Sequence, residues 1–429
     1  MKGYSRYGAL GHGGRIAPAP RRKDGAPGRA ETSTDATAGV PARCRGIVPR
    51  HAVGHGQIIH AYHPGVPISD RVLMGPGPSN PYPEVSAALG RPLLGHLDPE
   101  FLALMDETCD RLRLVFRTEN DLTFPLSATG SGGMEAAFVN FVSPGDVVVV
   151  GVNGLFGTRM CEVVRRMGAV VLPVEAPWGE PLDPEAILAA HDSPKVIAVV
   201  HAETSTGVRN DIAPIGQGKG DALLVVDMVT SLGGIEAEVD AWRIDVSYSG
   251  TQKCLGVPPG LAPLTVADRA RQRIVEQPPS WYFDLNLLSR YVQSDGGRVY
   301  HHTAPVAMVN ALHAGLGVVL DEGLGASWAR HETCGRLLQN GLESMGLRLV
   351  PPAGSRLPQL TTVWVPDDLP PGVDEAGVRR SLLTDFGIEI GAGVGPQAGR
   401  VWRIGCMGHT ARRRNVTLLL AALGEVLRR

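Results

Sequence analysis

A single lysine, Lys253, interrupts the segment Ser247-Tyr-Ser-Gly-Thr-Gln-Lys-Cys-Leu-Gly-Val-Pro-Pro-Gly-Leu-Ala-Pro263. Strand-like runs flank it, at residues 244–248 before the lysine and at 264–267 after the rigid Pro-Pro-Gly turn. A lysine held between a buried strand and a stiff loop has little access to water. Desolvation lowers the pKa of such an amine, and the free amine is then a nucleophile of the kind that Schiff-base chemistry requires. The alternative is an ordinary surface-loop lysine.

Apolar runs alternate with helical patterns on both sides of this lysine. Buried strands are predicted at residues 147–150, 169–174, 196–201, 222–227 and 244–248. Helices are predicted at 83–89, 98–116, 130–142 and 156–167, and Asp183-Pro184-Glu185 has the residues that begin another. Buried β-branched strands that alternate with helices indicate βαβ units and a mainly parallel sheet.

Both ends of the chain differ from this alternating region. Residues 1–70 are rich in Gly, Pro, Ala, Arg and His, and we predict a disordered, low-complexity extension there. This extension is rich in Arg and poor in acids, as transit peptides are, but it lacks an amphipathic stripe, so organellar targeting is not favoured. After about residue 320, helices at 328–345 and 373–386 interleave with strands at 361–365 and 401–404. We therefore predict a large α/β domain at 71–320 and a smaller α+β domain at 321–429.

Composition excludes several classes of function. The 429 residues carry a formal net charge of −2, so no basic field suggests a nucleic-acid partner. No apolar run reaches the length of a membrane-spanning helix. The six cysteines are scattered without ligand spacing, which argues against a zinc site or a disulfide framework. Reduced thiols and a cytoplasmic location are expected.

Four features of the alternating region have a bearing on Lys253. The sequence Ala128-Thr-Gly-Ser-Gly132 opens a helix, where backbone N–H groups can bind an anion, although it could also be only a tight turn. Asp227 ends a buried strand, at the sheet edge where parallel sheets bind ligands; the alternative is a helix cap. The segment His201-Ala-Glu-Thr-Ser-Thr-Gly207 places hydroxyls at another strand end, and Phe156 is either core or a platform for a ring.

An anion site, an aromatic platform, hydroxyls, an acid and a lysine at one sheet edge are what pyridoxal phosphate requires. The motifs that match a known family are Leu73-Met-Gly-Pro-Gly-Pro-Ser-Asn80, Val152-Asn-Gly154, His201–Gly207, Val226-Asp-Met-Val-Thr-Ser-Leu-Gly-Gly234, Ser249-Gly-Thr-Gln-Lys253, Tyr300-His-His-Thr303 and Trp402-Arg-Ile-Gly405. From about Arg71 to the C-terminus the chain resembles the class V, fold-type I aminotransferases, in particular the alanine–glyoxylate and serine–glyoxylate group. The resemblance implies a mainly parallel, seven-stranded-type sheet in the large domain.

The resemblance also implies a role for individual residues. Lys253 would bind pyridoxal 5'-phosphate covalently, and Asp227 would pair with its ring nitrogen. The other cofactor-binding residues would be Phe156 against the ring, Ser205 near the ring oxygen, Thr129, Gly130, Ser131 and Gln252 at the phosphate, and Tyr300 and Thr303 at the phosphate of a neighbouring subunit. The active site would therefore be shared within a homodimer.

Two residues would bind the substrate, namely Asn80 by resemblance and Arg403 at the α-carboxylate. Arg403 also has its own physical argument, because a planar guanidinium pairs with a carboxylate through two hydrogen bonds. An intradomain ion pair is the alternative.

The predicted activity is transamination from alanine or serine to glyoxylate, with small amino-acid and 2-keto-acid substrates. The rival within the class is ureidoglycine–glyoxylate transamination, although His96 and Trp281 stand where that branch usually has amides. A cysteine desulfurase is disfavoured because Gln252 precedes the lysine, and a dehydrogenase because the glycine fingerprint is missing. A non-catalytic ligand-binding module is the alternative from another class.

One connection departs from the family pattern. Between Pro214 and Ala222 the chain has only Ile-Gly-Gln-Gly-Lys-Gly-Asp, which is shorter than the family's usual helical turn or two. A parallel crossover normally needs a helix packed on the sheet. The position of the strand that carries Asp227 depends on this connection.

Overall fold

The computed structural model describes residues 69–293 and 297–428. The strands are β1 (Val72–Leu73), β2 (Leu122–Leu126), β3 (Val147–Val152), β4 (Val170–Glu175), β5 (Val196–Val200), β6 (Ala202–Glu203), β7 (Val208–Arg209), β8 (Leu223–Asp227), β9 (Val246–Tyr248), β10 (Ala262–Val266), β11 (Leu360–Trp364), β12 (Ile388–Glu389), β13 (Gly391–Ala392) and β14 (Val401–Gly405). The predicted extension at 1–70 lies outside the described residues except for its last two.

The α-helices cover the faces of the strands and connect them. They are α1 (Pro83–Leu89), α2 (Pro99–Phe116), α3 (Gly130–Val139), α4 (Leu155–Arg166), α5 (Pro184–Ala189), α6 (Ala213–Gly218), α7 (Asp268–Arg271), α8 (Leu285–Val292), α9 (Val306–Glu322), α10 (Leu324–Ser344), α11 (Glu375–Phe386) and α12 (Arg413–Val426). No helix in the described ranges is both long and apolar enough to cross a membrane.

A seven-stranded sheet in the order β2-β10-β9-β8-β5-β3-β4 forms the centre of the fold. The pairs from β9 through β8, β5 and β3 to β4 are all parallel. Only β10 runs in the opposite direction, since it is antiparallel to both β9 and β2. Every residue of β5, β8 and β9 is buried, as expected for strands with helices on both faces. The predicted mainly parallel sheet is confirmed.

The signals for helix starts are borne out at atomic detail. The Asp98 carboxylate accepts the Glu100 backbone N–H at 2.8 Å, and Asp183 accepts that of Glu185 at 3.0 Å. In both helices a proline occupies the first position, where its missing N–H costs nothing. The capped helices α2 and α5 therefore begin where the sequence indicated.

Several elements have no counterpart among the predicted ones, and the longest of them include β2 and α9. Strand β2 contains Pro125, which cannot donate a ladder hydrogen bond, and β2 pairs only with β10, as an edge strand does. Helix α9 was also missed, although its buried Val309, Leu312, Leu316 and Val319 recur at helical spacing. Buried residues lie on several faces of α9, so its sequence pattern is less amphipathic than that of α2.

The short connection before β8 does contain a helix, α6. Beyond α6, the buried Lys219 amine forms an ion pair with Asp245 and donates to the Arg243 carbonyl at 2.6 Å. Asp245 in turn accepts the Leu224 N–H at 2.7 Å. The shortened connection is therefore fastened to the strand beside it, and β8 pairs with β5 in regular parallel register.

A second apolar cluster lies outside the central sheet. It contains Met74 and buried side chains between residues 334 and 426, which come mainly from α10, α11, α12 and the three-stranded sheet β11-β14-β13. Strand β1 pairs in parallel with β12, and Val72 of β1 packs against this cluster. The division of the chain at residue 320 stays a prediction.

Gly216 in α6 offers a test of how this connection is fastened. A Cβ at this position would lie 1.8 Å from the Trp242 carbonyl oxygen, which is backbone and cannot move aside. We expect Gly216→Ala to lower the free energy of unfolding in urea by about 2 kcal/mol or more. Gly325→Ala is the matched control, because nothing lies within 4 Å of its Cβ position in α10, and it should be neutral or stabilising. Equal unfolding midpoints for the two variants would contradict the packing described.

Candidate active site

The amine of Lys253 is buried in a site built around it. The residue is 8% exposed, and its Nζ donates to the carbonyl oxygen of Pro76. Gly77 lies directly against the side chain, because a Cβ there would be 2.6 Å from Nζ, and its φ of 109° also favours glycine. Burial, with a smaller contribution from the nearby Arg403, lowers the pKa of Lys253 to about 8. About one tenth of the amine is therefore unprotonated at pH 7, far more than for an exposed lysine.

Asp227 lies at the carboxyl end of β8 and is 3% exposed. One carboxylate oxygen accepts the Val229 N–H at 2.8 Å, and the other accepts the hydroxyl of Tyr248 on β9 at 2.9 Å. Burial raises the pKa of Asp227 to about 6, and the charge of Lys253 opposes that shift. The amine and the carboxylate are thus within electrostatic reach of each other at the same sheet edge.

The first turn of α3 lies beside the loops that follow β8 and β9. A Cβ at Gly130 would be 3.0 Å from a Val229 methyl group and 3.6 Å from the Cα of Gly250, so a small residue allows this close approach. The Thr129 side chain makes no capping hydrogen bond, and the Ser131 hydroxyl accepts from Arg159 at 3.1 Å. The free N–H groups of this helix end and a nearby guanidinium suit an anion.

Gln252 contributes a buried amide to the same site. Its Oε1 is shielded from solvent and has no hydrogen-bond partner among the described residues. A Cβ at Gly250 would lie 2.7 Å from that atom. A buried polar atom without a partner is uncommon in a native fold and indicates an absent ligand or water.

Glu203 is a site residue that the sequence analysis quoted but did not select. Its carboxylate is fully buried and accepts the N–H groups of Phe156 at 3.0 Å and Gly157 at 3.4 Å, at the start of α4. It also accepts the Ser205 N–H at 3.0 Å and the Ser205 hydroxyl at 2.6 Å. Burial raises the pKa of Glu203, and these donors oppose the shift. The available signal was an acid placed three residues beyond the fully apolar strand β5.

These bonds fix the two residues predicted to contact a cofactor ring. Phe156 is half-buried, and the Arg159 guanidinium lies over its ring, 4.9 Å from the centroid. Ser205 is buried, accepts the Leu155 N–H at 2.9 Å and gives its hydroxyl proton to Glu203. The Ser205 hydroxyl therefore has one lone pair left and no free proton, so it can accept a hydrogen bond from a protonated ring oxygen but cannot donate one.

Arg403 lies on β14, a strand of the second apolar cluster, and its side chain extends from that cluster to the site. Its guanidinium donates to the Ala392 carbonyl at 2.7 Å and to the Thr204 carbonyl at 3.3 Å. Burial lowers the pKa of Arg403. It forms no ion pair with any carboxylate of residues 69–293 and 297–428, so the intradomain ion pair is excluded there. Its charge is available to a ligand.

The side-chain hydrogen bonds of Tyr300, Thr303 and Asn80 go to groups other than Lys253 and Asp227 within the described part of this chain. Tyr300 is 57% exposed, and its hydroxyl lies 3.4 Å from that of Thr303, which is also exposed. The Asn80 amide accepts the Leu73 N–H and donates to the Arg71 carbonyl, both at 2.9 Å. The Asn80 amide is therefore used to hold the backbone of residues 71–73, and its role toward a substrate stays a prediction.

The comparisons with known proteins agree with this architecture. The family model described as aminotransferase class-V matches residues 80–398, and the chain belongs to this family. Among curated relatives, the (S)-ureidoglycine–glyoxylate transaminase of Bacillus subtilis (strain 168) is 38% identical over 384 residues, which cover 84% of this chain and 91% of that protein. The alanine–glyoxylate aminotransferase of Drosophila melanogaster is 39% identical over 370 residues, covering 84% and 93%.

Solved structures give the same result. A crystal structure of alanine–glyoxylate aminotransferase from Nostoc sp. superposes with a TM-score of 0.81 at 45% identity, covering 85% of this chain and 97% of that one. The fold-type I assignment is confirmed, with a mixed sheet in which β10 alone is reversed.

The buried amine predicts a specific pH dependence of stability. Because the folded pKa of Lys253 lies below its unfolded value, the lysine's contribution is favourable at high pH and is lost as the pH falls through 8. We expect Lys253→Met to raise the free energy of unfolding of the cofactor-free protein by about 2 kcal/mol at pH 7, and by much less near pH 10. Lys195→Met, at a half-buried position before β5, controls for loss of a lysine. A gain that does not depend on pH would contradict the burial of the amine.

Proposed function

We propose that this chain is a pyridoxal 5'-phosphate-dependent aminotransferase that transfers an amino group from alanine or serine to glyoxylate. The observation that carries the proposal is the pairing of a desolvated amine and a buried carboxylate at one sheet edge, beside a guanidinium without an ion-pair partner among the described residues. The named relatives of both kinds act with glyoxylate.

The residues present fit that cofactor. The uncapped start of α3, the hydroxyls of Thr129 and Ser131 and the NH2 group of the Gln252 amide supply the donors that a phosphate group needs. Phe156 offers a half-buried ring, and Asp227 offers a carboxylate to a ring nitrogen. Lys253 supplies the amine. When bound, the cofactor supplies an electron sink that stabilises negative charge at the substrate α-carbon.

The chain's own residues would divide the remaining work. Arg403 binds the substrate α-carboxylate and so orients the α-carbon toward Lys253. Lys253 takes and returns the α-proton, and its pKa of about 8 keeps it competent in both directions near neutral pH. Asp227 holds a proton at the ring nitrogen. The burial of Lys253 and Asp227 excludes bulk water from the proton transfer.

Ureidoglycine is the second candidate donor, supported by the Bacillus subtilis relative. The residues His96 and Trp281, where that branch is expected to have amides, have contacts of their own. The Nε2 atom of His96 is buried and lacks a partner among the described residues, whereas Trp281 stacks on His301 with centroids 4.4 Å apart. An imidazole and an indole provide fewer hydrogen bonds to a ureido group than two amides would, which favours alanine or serine.

A panel of amino donors with glyoxylate, scored by glycine formation, tests this assignment. We expect alanine or serine to give the highest kcat/KM. The purified protein should absorb visible light, lose that absorbance on borohydride treatment, and fail to show it as Lys253→Ala. Lys195→Ala should keep it. An active Lys253→Ala enzyme would refute the role of the amine, and a preference for ureidoglycine would select the second candidate.

A homodimer that shares its active sites is part of the proposal. Exposed apolar side chains occur in the segments around Tyr300, where the His96 ring contacts Tyr300 with centroids 5.5 Å apart and Trp281 stacks on His301; we infer that they form one surface. This surface comprises Leu93, Leu97, Trp281, Val299 and Tyr300. Contiguous exposed apolar surface indicates an interface.

A cytoplasmic location is also proposed, and the five described cysteines, all free and buried, support it.

Mixing two inactive variants tests the shared site. Lys253→Ala lacks the amine, and the double variant Tyr300→Phe with Thr303→Ala lacks the groups proposed to reach the partner's cofactor. In a mixed dimer one site combines both intact sets, so we expect recovery of about one quarter of wild-type activity at limiting cofactor. Lys253→Ala mixed with Asp227→Asn is the control and should recover none, since each subunit then lacks a group of its own site. No recovery in the first mixture would contradict sharing.

A further inference from the structure

The hydroxyl of Tyr248 is a buried group to which the proposed reaction assigns no role. Tyr248 is fully buried on β9, directly opposite Asp227 in the parallel register of β8 and β9. Its hydroxyl donates to the second carboxylate oxygen of Asp227 at 2.9 Å. Within the described ranges this is the only hydrogen bond of the hydroxyl. Tyrosine in the interior needs a partner for its O–H group, and here that partner is the predicted ligand of the ring nitrogen.

Packing leaves the Tyr248 ring little freedom. A Cβ at Gly133 of α3 would be 3.3 Å from the Tyr248 ring carbon Cδ2, and Leu264 of β10 pairs with Tyr248 from the other side of β9. The ring is therefore clamped between the helix that opens the anion site and the sheet. A hydroxyl held in this way points at Asp227 without having to be ordered when a ligand binds.

The groups around Asp227 and Tyr248 shift the pKa of each residue in opposite directions. Glu203 raises the pKa of Asp227, while Lys253 and the hydroxyl of Tyr248 lower it. Burial and the Asp227 charge raise the pKa of Tyr248 well above its usual value, and Arg159 opposes that shift. Tyr248 thus stays protonated and remains a donor throughout the range in which an aminotransferase works.

We propose that Tyr248 is a positioning residue, whose hydroxyl keeps Asp227 ionised and oriented so that the carboxylate can hold the proton on the cofactor ring nitrogen. The proposal rests on the proposed function for the cofactor, but the interaction itself exists in the protein alone. A carboxylate that accepts a hydrogen bond is less basic than one that does not. Without the hydroxyl, Asp227 takes the shared proton more readily, and the ring loses positive charge.

Tyr248→Phe is the test variant, since it removes one oxygen and keeps the packed ring. Loss of one hydrogen bond to a charged group should lower kcat about ten-fold or more, with a much smaller change in KM, because Arg403 still binds the substrate carboxylate. The pH midpoint of the visible absorbance of the loaded enzyme should also rise. Tyr291→Phe is the matched control, because the buried Tyr291 hydroxyl has no partner among the described residues. It should change neither quantity.

A second measurement uses the cofactor-free protein. Asp227 has a folded pKa raised above its unfolded value, so its contribution to stability is full at low pH and is lost as the pH rises through about 6. In Tyr248→Phe this loss of stability should occur at a pH that is about one to two units higher. Its destabilisation, measured by urea unfolding, should therefore grow between pH 5 and pH 8. In an Asp227→Asn background this pH dependence should vanish.

The two measurements separate the inference from the proposed function. In the first case, the cofactor-free protein shows the Asp227-dependent effect but no cofactor binds. The proposed function then fails, and the positioning role of Tyr248 is overturned together with it, although the hydrogen bond between Tyr248 and Asp227 remains. If cofactor binds and the donors react, yet Tyr248→Phe matches Tyr291→Phe in kcat and absorbance midpoint, the inference alone is overturned. A Tyr248→Phe enzyme that loses kcat without any shift in the absorbance midpoint would also overturn it, because a merely structural role predicts that result.

Discussion

The site depends on burying an amine and a carboxylate at one edge of the sheet without letting them neutralise each other. Desolvation moves each group toward its neutral form, and so the pKa of Lys253 falls to about 8 while that of Asp227 rises to about 6. Their mutual attraction opposes both shifts only in part. The result is a base and an acid whose proton affinities both lie close to neutral pH, which is the condition for proton transfer in both directions.

The parallel sheet makes that burial possible. Strands β8 and β9 end side by side. Asp227 is the last residue of β8, Tyr248 is the last residue of β9, and Lys253 lies in the loop that follows β9. Next to them, β5 leads into Glu203, whose carboxylate is satisfied by backbone N–H groups at the start of α4. Helix starts supply donors at this edge because the connections of a parallel sheet begin there. The fold thus provides hydrogen-bond donors for two buried acids without using a lysine or arginine.

The sequence was sufficient for whatever depends on local pattern. Runs such as Val196–Val200 identified buried strands, and Asp98 identified a capped helix start. It was insufficient where the role of a residue depends on neighbours that are distant in the sequence. Pro125 is acceptable only because β2 is an edge strand, and the importance of Glu203 appears only once α4 is packed above it. The Asn80 amide is likewise occupied by backbone groups that no motif identifies.

The relation between Glu203 and Arg403 explains how the site keeps a cation available. Both are buried or half-buried. Burial lowers the pKa of Arg403 and Glu203 is close enough to oppose that shift, yet the two side chains form no ion pair. Four donors from Phe156, Gly157 and Ser205 already surround the Glu203 carboxylate, so moving it to Arg403 would leave buried N–H groups without partners. Arg403 instead bonds to two carbonyl oxygens, which orient the guanidinium without neutralising it. Its charge therefore remains available to a carboxylate that enters from outside, which the proposed binding of a substrate with one α-carboxylate requires.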